Sequence, residues 1–249
     1  MIIKKQGEKI VERYTTLLMD ADDTIFDFGA CESRALCEAL QSENLPFDDE
    51  ICQSFSAINA ALWKEFEMNK ITRSQLRVER FRELIRKCLE GYENPERLAD
   101  RYIEALAKQA IFFNGAEEAV RQLAGRCYVY IITNGLKTVQ RGRFLKSGLE
   151  RLVDGVFISD EMGVQKPMKA FFDAVLQSIS EKETDKILVV GDSLTSDMQG
   201  GRNAGLATCV YDPGKRVQMP HALCDYRIES LRELCGMVTE ARNEGKQKT

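Results

Sequence analysis

A short apolar segment near the beginning of the chain runs directly into a group of carboxylates. In TTLLMDADDTIFDF, residues 15–28, Asp20, Asp22 and Asp23 follow the apolar stretch, and apolar residues then resume. Two aspartates one residue apart at a strand end point the same way if the chain leaves the extended conformation there. A third acid nearby adds repulsion that a hard divalent cation relieves. The segment therefore predicts a Mg²⁺ site built on carboxylates.

Three later segments carry polar residues that fit the same kind of site. Thr133 and Asn134 follow the apolar run YVYII, and Lys166 stands directly before a proline. The segment GDSLTSD, residues 191–197, places Asp192 and Asp197 after the run ILVV. A strand, a glycine turn and two acids five positions apart are hard to explain by stability alone. These residues, together with the first segment, predict one site.

Three of the four segments also have a purely structural explanation when each is taken alone. DADDT can be a strand end followed by a helix cap, with its aspartates in turn-forming roles. TNG, residues 133–135, can be a polar turn, and Lys166 can be a solvated lysine before a helix that begins with proline. The occurrence of all four segments in one chain favours a single site over four independent structural features.

The remaining residues exclude several kinds of chemistry. His221 is the only histidine in the sequence, whereas histidine-based phosphoryl transfer and multi-histidine zinc sites normally require more than one. No cysteine is followed six positions later by arginine, and no Gly-x-x-x-x-Gly-Lys-Ser/Thr phosphate loop is present. Carboxylates must therefore carry the chemistry.

The elements that position these residues follow from the hydrophobic pattern. YTTLLMD, residues 14–20, predicts a buried strand. Thr72 and Gln75 predict a capping box, and Pro95 takes an early helical position. From about residue 30 to 110, helical patterns follow one another without a convincing strand, in the order ACESRALCEALQSENL, DDEICQSFSAINAALWKEFEMN, ITRSQLRVERFRELIRKCLE and NPERLADRYIEALAKQA.

After Phe113 the patterns of helices and strands alternate. The predicted strands are CYVYIIT, GVFIS, KILVVGD and ATCVY, and the helical patterns are GAEEAVRQLAG, KTVQRGRFLKSGL, PMKAFFDAVLQSI and TSDMQGGRNAG. Such alternation predicts an α/β fold with a doubly wound parallel sheet, a Rossmann-like core, whose strands bind ligands at their carboxyl ends. We predict this catalytic core at residues 1–28 and 112–240, an inserted all-helical domain at 29–111, and a polar C-terminal tail at 241–249.

Composition and charge indicate a small-molecule partner. The 249 residues are 44% hydrophobic, which is enough for a substantial core. The net charge of −4, with acids and bases intermixed, provides no basic stripe for nucleic acid. No stretch approaches the roughly 20 apolar residues that span a membrane. The chain begins without the apolar core of a signal peptide, and its eight cysteines include no Cys-x-x-Cys pair, so we expect reduced thiols in the cytoplasm.

The four polar segments resemble the motifs of the haloacid dehalogenase superfamily, in the phosphatase branch that carries a helical cap after the first motif. The similarity covers nearly the whole chain, in the order and spacing of the family. Asp23 departs from the pattern, because many members carry glycine there. The matching residues are Asp20, Asp22 and Thr24 in the first motif, Thr133 and Asn134 in the second, Lys166 and Pro167 in the third, and Asp192 and Asp197 in the fourth.

The resemblance implies a Mg²⁺-dependent phosphate monoester hydrolase that works through an aspartyl-phosphate. Asp20 is implied as the nucleophile, and Asp22 as the acid that protonates the leaving oxygen and then activates water. The implied Mg²⁺ ligands are Asp20, the backbone carbonyl of Asp22, and Asp192. Phosphate binding is implied for Thr133, Asn134 and Lys166, and a supporting role around Lys166 or the metal for Ser193 and Asp197.

The substrate is predicted less narrowly than the reaction. The form DADDTIFDF resembles the branch of pyrimidine 5′-nucleotidases, which implies nucleoside 5′-monophosphates as substrates. A sugar-phosphate phosphatase or a phosphomutase remains an alternative, because the mutases share the acid at Asp22. A phospho-acceptor signalling module is the alternative of a different class, but it requires neither a helical insert nor the acids of GDSLTSD. In the insert, Trp63 and Phe66 could pack in a core or offer a stacking surface.

Overall fold

The computed structural model describes residues 3–4 and 13–239, so the predicted tail at 241–249 lies outside it. The described chain divides into two compact units. The sheet unit contains the described residues up to Asp27, Phe112–Lys137 and the residues from Ser147 onward. The helical unit contains Phe28–Ile111 and Thr138–Lys146.

The sheet unit is built on seven strands within the described residues. Their order across the sheet is β1-β7-β6-β5-β2-β3-β4, and all pairs are parallel except β1 with β7. This arrangement confirms the predicted α/β class. The strands are β1 Ile3–Lys4, β2 Thr16–Met19, β3 Tyr128–Thr133, β4 Gly155–Ile158, β5 Ile187–Gly191, β6 Ala207–Tyr211 and β7 Tyr226–Ile228.

The helices alternate with the strands after the insert, as the sequence predicts. A π-helical turn at Leu194–Met198 precedes the last α-helix. The helices are α1 Phe28–Ser42, α2 Asp49–Glu67, α3 Arg73–Cys88, α4 Pro95–Leu106, α5 Ala116–Arg126, α6 Lys137–Ser147, α7 Ser159–Met162, α8 Lys169–Ser178 and α9 Gln199–Asn203. No helix among the described residues is long and apolar enough to cross a membrane.

Strand β2 lies at the centre of the parallel strands and is buried throughout. Met19 pairs with Ile131 of β3 on one side and with Val190 of β5 on the other. Successive side chains point to opposite faces of a strand, so Leu18 joins one core face and packs with Phe171 and other residues of α8. Burial of both faces explains the continuous apolar runs of these strands and is typical of parallel sheets.

The helical unit has a core of its own made of aromatic side chains. Phe55, Phe81 and Tyr102 are fully buried, and their ring centroids lie 5.1–5.5 Å apart. Trp63 is only partly buried and meets Phe66 edge to face, with centroids 5.5 Å apart. The predicted capping box of Thr72 and Gln75 is present at the start of α3. Most of the aromatic residues of this unit therefore stabilise it by packing.

A buried polar network joins three helices of this unit. The Asn59 amide donates to the carboxylate of Glu32 at 2.6 Å and accepts from Arg80 at 3.1 Å. Glu32 also accepts from Ser56. Burial raises the pKa of Glu32, although these hydrogen bonds and the Arg80 charge act in the opposite direction. The network lets the unit bury two ionisable groups with hydrogen-bond partners.

Helix α6 belongs to a different unit from the one that the sequence predicts. The alternating pattern places it in the 112–240 core, whereas Thr138–Lys146 belongs to the helical unit. Arg143 is fully buried and its Nε donates to the Gln109 carbonyl oxygen at 3.0 Å. Gly142 also lies against Ala107, where an added Cβ would be 2.6 Å from the carbonyl oxygen. This close backbone approach requires glycine and explains the grouping.

Candidate active site

The carboxyl ends of three adjacent strands bring the predicted polar residues to one edge of the sheet. Asp20 follows β2, Thr133 ends β3, and Asp192 follows β5. The Asp20 N–H donates to the Val190 carbonyl oxygen at 2.8 Å, which continues the pairing of β2 with β5 by one residue. The pairing of β2 with β5 therefore fixes the backbone position of Asp20 at this edge of the sheet.

The chain leaves β2 through a tight loop formed by DADDTIF. Ile25 and Phe26 both donate their N–H groups to the Ala21 carbonyl oxygen, at 3.0 and 2.8 Å. Asp23 is exposed and adopts a left-handed conformation with φ of 56°. Aspartate tolerates this conformation better than most residues, and glycine adopts it without strain. The departure from glycine at Asp23 is therefore compatible with the loop.

Lys166 is buried at the centre of the cluster, with 1% of its surface exposed. Its Nζ donates to the Asp20 carboxylate at 2.5 Å, to the Asp197 carboxylate at 2.7 Å and to the Ile132 carbonyl oxygen at 2.9 Å. An ammonium group has three donors, so these contacts use all of them. The explanation of Lys166 as a solvated lysine before a helix is therefore wrong.

Asn134 holds the backbone of Lys166. Its amide nitrogen donates to the Lys166 carbonyl oxygen and its amide oxygen accepts from the Lys166 N–H, both at 2.9 Å. The resemblance implies phosphate binding at Asn134, but in the structure both ends of its side chain contact Lys166. Thr133 is buried, and its hydroxyl accepts the Gly135 N–H at 3.1 Å. Asn134, which directly follows β3, therefore holds the backbone of Lys166 in position.

The segment GDSLTSD folds so that Asp197 returns toward the end of β5. The Ser193 hydroxyl accepts the Ser196 N–H at 3.2 Å and caps the π-helical turn. The Ser193 N–H in turn donates to the Asp197 carboxylate at 3.2 Å. Asp197 is completely buried, and its two oxygens contact Lys166 and Ser193. The turn thus fixes Asp197 as the partner of Lys166.

A third carboxylate, that of Asp192, lies close to the two that bond Lys166. One oxygen each from Asp20, Asp192 and Asp197 can be chosen so that all lie within 4.8 Å of one another. Burial raises the pKa of Asp20 to about 8 despite Lys166, and the carboxylates of Asp197 and Asp22 contribute to the rise. Burial also raises the pKa of Asp192 well above its usual range. Full ionisation of the three carboxyl groups would therefore place more negative charge in the cluster than Lys166 balances.

This excess of charge fits a divalent cation. Burial alone would lower the pKa of Lys166, but Asp197 and Asp20 outweigh it, so the ammonium stays charged. When all three carboxyl groups are ionised, the charge of Lys166 leaves two negative charges for a cation to balance, and oxygen ligands suit Mg²⁺. The Asp22 carboxylate is outside the group of three, so Asp22 meets the predicted metal site only if its backbone carbonyl is used, as the resemblance implies.

Asp212 is a further acid at this edge, and it belongs to none of the four motifs. It directly follows β6, the neighbour of β5, and is buried. The pattern ATCVYD repeats the arrangement of LLMD and LVVGD, in which an apolar strand ends in aspartate. That repetition could have identified it, although the following Pro213 and Gly214 make Asp212 look like a turn residue.

Gly191 is required for the approach of Asp197. A Cβ at position 191 would overlap the Asp197 carboxylate, which Lys166 and Ser193 hold in place. We expect Gly191→Ala to lower the free energy of unfolding by roughly 1–3 kcal/mol in a denaturant titration. Gly125→Ala, in α5 with no atom within 4 Å of the added Cβ, is the control and should not be destabilised. Equal stability of the two variants would contradict this requirement.

Comparison with known proteins agrees with the geometry. A haloacid dehalogenase-like hydrolase family model matches residues 14–205. The chain is 36% identical over 223 residues to pyrimidine 5′-nucleotidase PynA of Streptococcus pneumoniae (89% of this chain, 93% of that protein). It is 32% identical over 222 residues to pyrimidine 5′-nucleotidase YjjG of Escherichia coli (89% and 96%).

A solved structure is also similar over almost the whole described chain. The crystal structure of the HAD-hydrolase YfnB of Bacillus subtilis, bound to magnesium, matches with a TM-score of 0.83 and 36% identity. The match covers 90% of this chain and 97% of that one. The family match and these relatives confirm the resemblance identified in the four motifs. The chain belongs to the haloacid dehalogenase-like hydrolase family.

Proposed function

We propose that the protein is a Mg²⁺-dependent phosphate monoester hydrolase that acts on nucleoside 5′-monophosphates through an aspartyl-phosphate at Asp20. The observation that carries the proposal is the cluster formed by the buried Asp20 and Asp197 and the partly buried Asp192 around Lys166. Two relatives named pyrimidine 5′-nucleotidases support the choice of substrate. Membership in a hydrolase family also favours hydrolysis over the phospho-acceptor signalling module.

The first chemical step belongs to Asp20 and Asp22. A carboxylate oxygen of Asp20 attacks phosphorus, and the bond between phosphorus and the leaving oxygen breaks. Asp22 donates a proton to that oxygen, so the nucleoside leaves as an alcohol. The partial exposure of Asp22 suits an acid that must meet both a leaving group and water.

The second step returns the enzyme to its starting state. Asp22, now a carboxylate, takes a proton from a water molecule that attacks the phosphorus of the aspartyl-phosphate. Phosphate leaves, Asp20 is again a carboxylate, and Asp22 is again protonated. Asp22 thus donates a proton in the first step as an acid and accepts one in the second step as a base.

The Thr133 hydroxyl orients the phosphoryl oxygens, and the charge of Lys166 offsets their negative charge. A phosphate dianion is repelled by the carboxylates of this edge, and the charge of Lys166 offsets part of that repulsion. Asn134, Ser193 and Asp197 hold Lys166 in position through the contacts described above. Asp20, Asp192 and the Asp22 backbone carbonyl would hold Mg²⁺, which supplies positive charge to the transferring group.

We also propose that residues 29–111 form the cap that selects the leaving group, as the resemblance implies. The insert begins directly after the Asp20 loop in the chain, and Trp63 is only partly buried in it. A cytoplasmic location is part of the same proposal. It is supported by the eight cysteines, which all lie in the described part of the chain and form no disulfide.

The test is a panel of phosphate monoesters assayed with Mg²⁺. We expect kcat/KM for pyrimidine deoxynucleoside 5′-monophosphates to exceed that for ribose 5-phosphate by roughly tenfold or more, because binding energy from the base and sugar is used in the transition state. The substrate assignment is contradicted if a sugar phosphate equals or exceeds every nucleotide. Isomerisation of a sugar phosphate without release of phosphate would identify a mutase instead.

A further inference from the structure

A pocket in the sheet unit opens beside Asp192, on the side away from β2. Its volume is about 320 Å³, and its lining includes Asp192, Asp212 and Arg216 together with the apolar side chains of Leu194 and Val217. A lining that combines charged groups with small apolar surfaces suits a sugar ring, which carries hydroxyl groups and C–H faces. Asp192 lines the pocket and is also one of the three clustered carboxylates, so the pocket adjoins the cluster.

Asp212 directly follows β6, just as Asp192 directly follows the adjacent strand β5. Gly191 of β5 pairs with Val210 of β6, so Asp192 and Asp212 each begin the loop that follows one of two adjacent strands. Neighbouring strands lie about 4.8 Å apart. The strand-end aspartates thus follow one another across the sheet, from Asp20 on β2 to Asp192 on β5 and Asp212 on β6.

One oxygen of Asp212 has no hydrogen bond to any residue that the structure describes. Asp212 is 2% exposed, and its Oδ1 finds no hydrogen-bond partner among the described residues. Nε of Arg216 lies 3.7 Å from this oxygen, which is too long for a hydrogen bond, and the Arg216 side chain is 82% exposed. A buried acceptor without a donor is costly, so this oxygen requires an explanation.

The local fold does not supply that explanation. The other oxygen, Oδ2, accepts the Val217 N–H at 2.7 Å and holds the loop that follows β6. The same loop is held by the Lys215 N–H, which donates to the Asp212 carbonyl oxygen at 3.1 Å, and by Arg227, which donates to the Val217 carbonyl oxygen at 2.8 Å. Three contacts fix the loop without using Oδ1.

We propose that this pocket binds the sugar of the leaving group and that Asp212 Oδ1 accepts a hydrogen bond from its 3′-hydroxyl, an inference that rests on the proposed nucleotidase function. A carboxylate only accepts hydrogen bonds, so its ligand must donate one. The carboxylates of Asp192 and Asp212 repel a second anion. The 3′-hydroxyl is the sugar hydroxyl closest to the 5′-phosphate in both ribo- and deoxyribonucleotides. The 3′-hydroxyl therefore suits Asp212 Oδ1, which lies at the end of the strand next to the one that Asp192 follows.

The test compares two substrates that differ in this hydroxyl alone, thymidine 5′-monophosphate and 3′-deoxythymidine 5′-monophosphate. With wild-type enzyme and Mg²⁺ we expect kcat/KM to favour the hydroxylated substrate by roughly tenfold or more, as for a hydrogen bond to a charged group. In Asp212→Asn, the amide oxygen can keep the Val217 bond while the amide nitrogen replaces the free acceptor with a donor. That variant should lose the preference.

Asp154→Asn is the matched control. Asp154 also accepts a backbone N–H, that of Val129 at 2.8 Å, but it precedes β4 and so lies at the opposite edge of the sheet. This variant should retain the wild-type preference, and melting temperatures should show that both variants are folded.

The outcomes separate this proposal from the one on which it rests. Equal kcat/KM for the two substrates in the wild type overturns the sugar contact, whether or not Asp212→Asn folds. An unchanged preference in folded Asp212→Asn overturns the role of Asp212. Wild-type enzyme that hydrolyses neither nucleotide but hydrolyses other phosphate esters overturns the nucleotidase assignment itself.

Discussion

Asp20→Asn is expected to reduce kcat by at least about a thousand-fold, because asparagine cannot act as the nucleophile that forms the aspartyl-phosphate. The change keeps the size of the side chain, and the amide oxygen can still accept from Lys166, as the Asp20 carboxylate does at 2.5 Å. Release of inorganic phosphate from a nucleotide provides the measurement. Turnover above a few per cent of wild type, with deamidation excluded by mass spectrometry, would rule out Asp20 as the nucleophile.

The stability of the same variant checks that the loss is chemical. Burial raises the pKa of Asp20 to about 8 in the fold, whereas an unfolded aspartate titrates near 3.9. The folded wild type therefore binds more protons than the unfolded chain between about pH 4 and pH 8, and it loses stability as the pH rises through that range. An asparagine side chain cannot titrate, so the metal-free variant should match or exceed the wild-type melting temperature near pH 8. A large fall in melting temperature would point to misfolding.

Removal of Mg²⁺ is expected to reduce turnover by roughly a thousand-fold or more, because the metal's positive charge stabilises the transferring phosphoryl group. Addition of Mg²⁺ without substrate should raise the melting temperature, since binding to the folded state alone stabilises it and relieves the repulsion among the three carboxylates. Phosphate release and thermal unfolding, each followed across a Mg²⁺ titration, provide the two measurements.

Calcium and one variant serve as controls for the metal site. Ca²⁺ accepts more ligands at longer distances, so it should bind and inhibit rather than support turnover. Asp192→Asn should lose most of the Mg²⁺-dependent rise in melting temperature, because it removes one of the three clustered carboxylates. Full activity in thoroughly chelated enzyme, or equal activity with Ca²⁺, would contradict the metal assignment.

The parts of the fold that depend on local pattern were predictable from the sequence. The capping box of Thr72 and Gln75 lies within one helical turn, and the apolar run ILVV marks β5 by itself. The strand β7, Tyr226–Ile228, was not predicted, because three residues in a polar stretch do not show a period. Local sequence patterns therefore predicted most of the helices and strands but not the shortest strands.

The contacts that complete the candidate site were not predictable in the same way. Lys166 is buried because its acceptors come from Asp20, Ile132 and Asp197, which are distant in the sequence. Hydrophobic pattern alone could equally describe an exposed lysine before a helix. The motif resemblance indicated which residues belong together, whereas only the structure shows that Asn134 contacts the Lys166 backbone. It also shows that one Asp212 oxygen has no hydrogen-bond partner within the described part of the chain.

The central position of β2 has a consequence for the order of folding. Thr16 pairs with Tyr128 and Ile187, so the first strand of the parallel sheet receives both neighbours only after long stretches of chain have been made. Helices α1–α4 pack with one another, α1 mainly with α4 and α2 mainly with α3, so their contacts all lie within Phe28–Leu106, which favours earlier folding than the strand pairs of β2. During synthesis on the ribosome, we expect helices α1–α4 to fold first while β2 keeps two open edges. A nascent chain that has not yet reached Asp197 then lacks one carboxylate partner of Lys166, so catalytic competence arises late in translation.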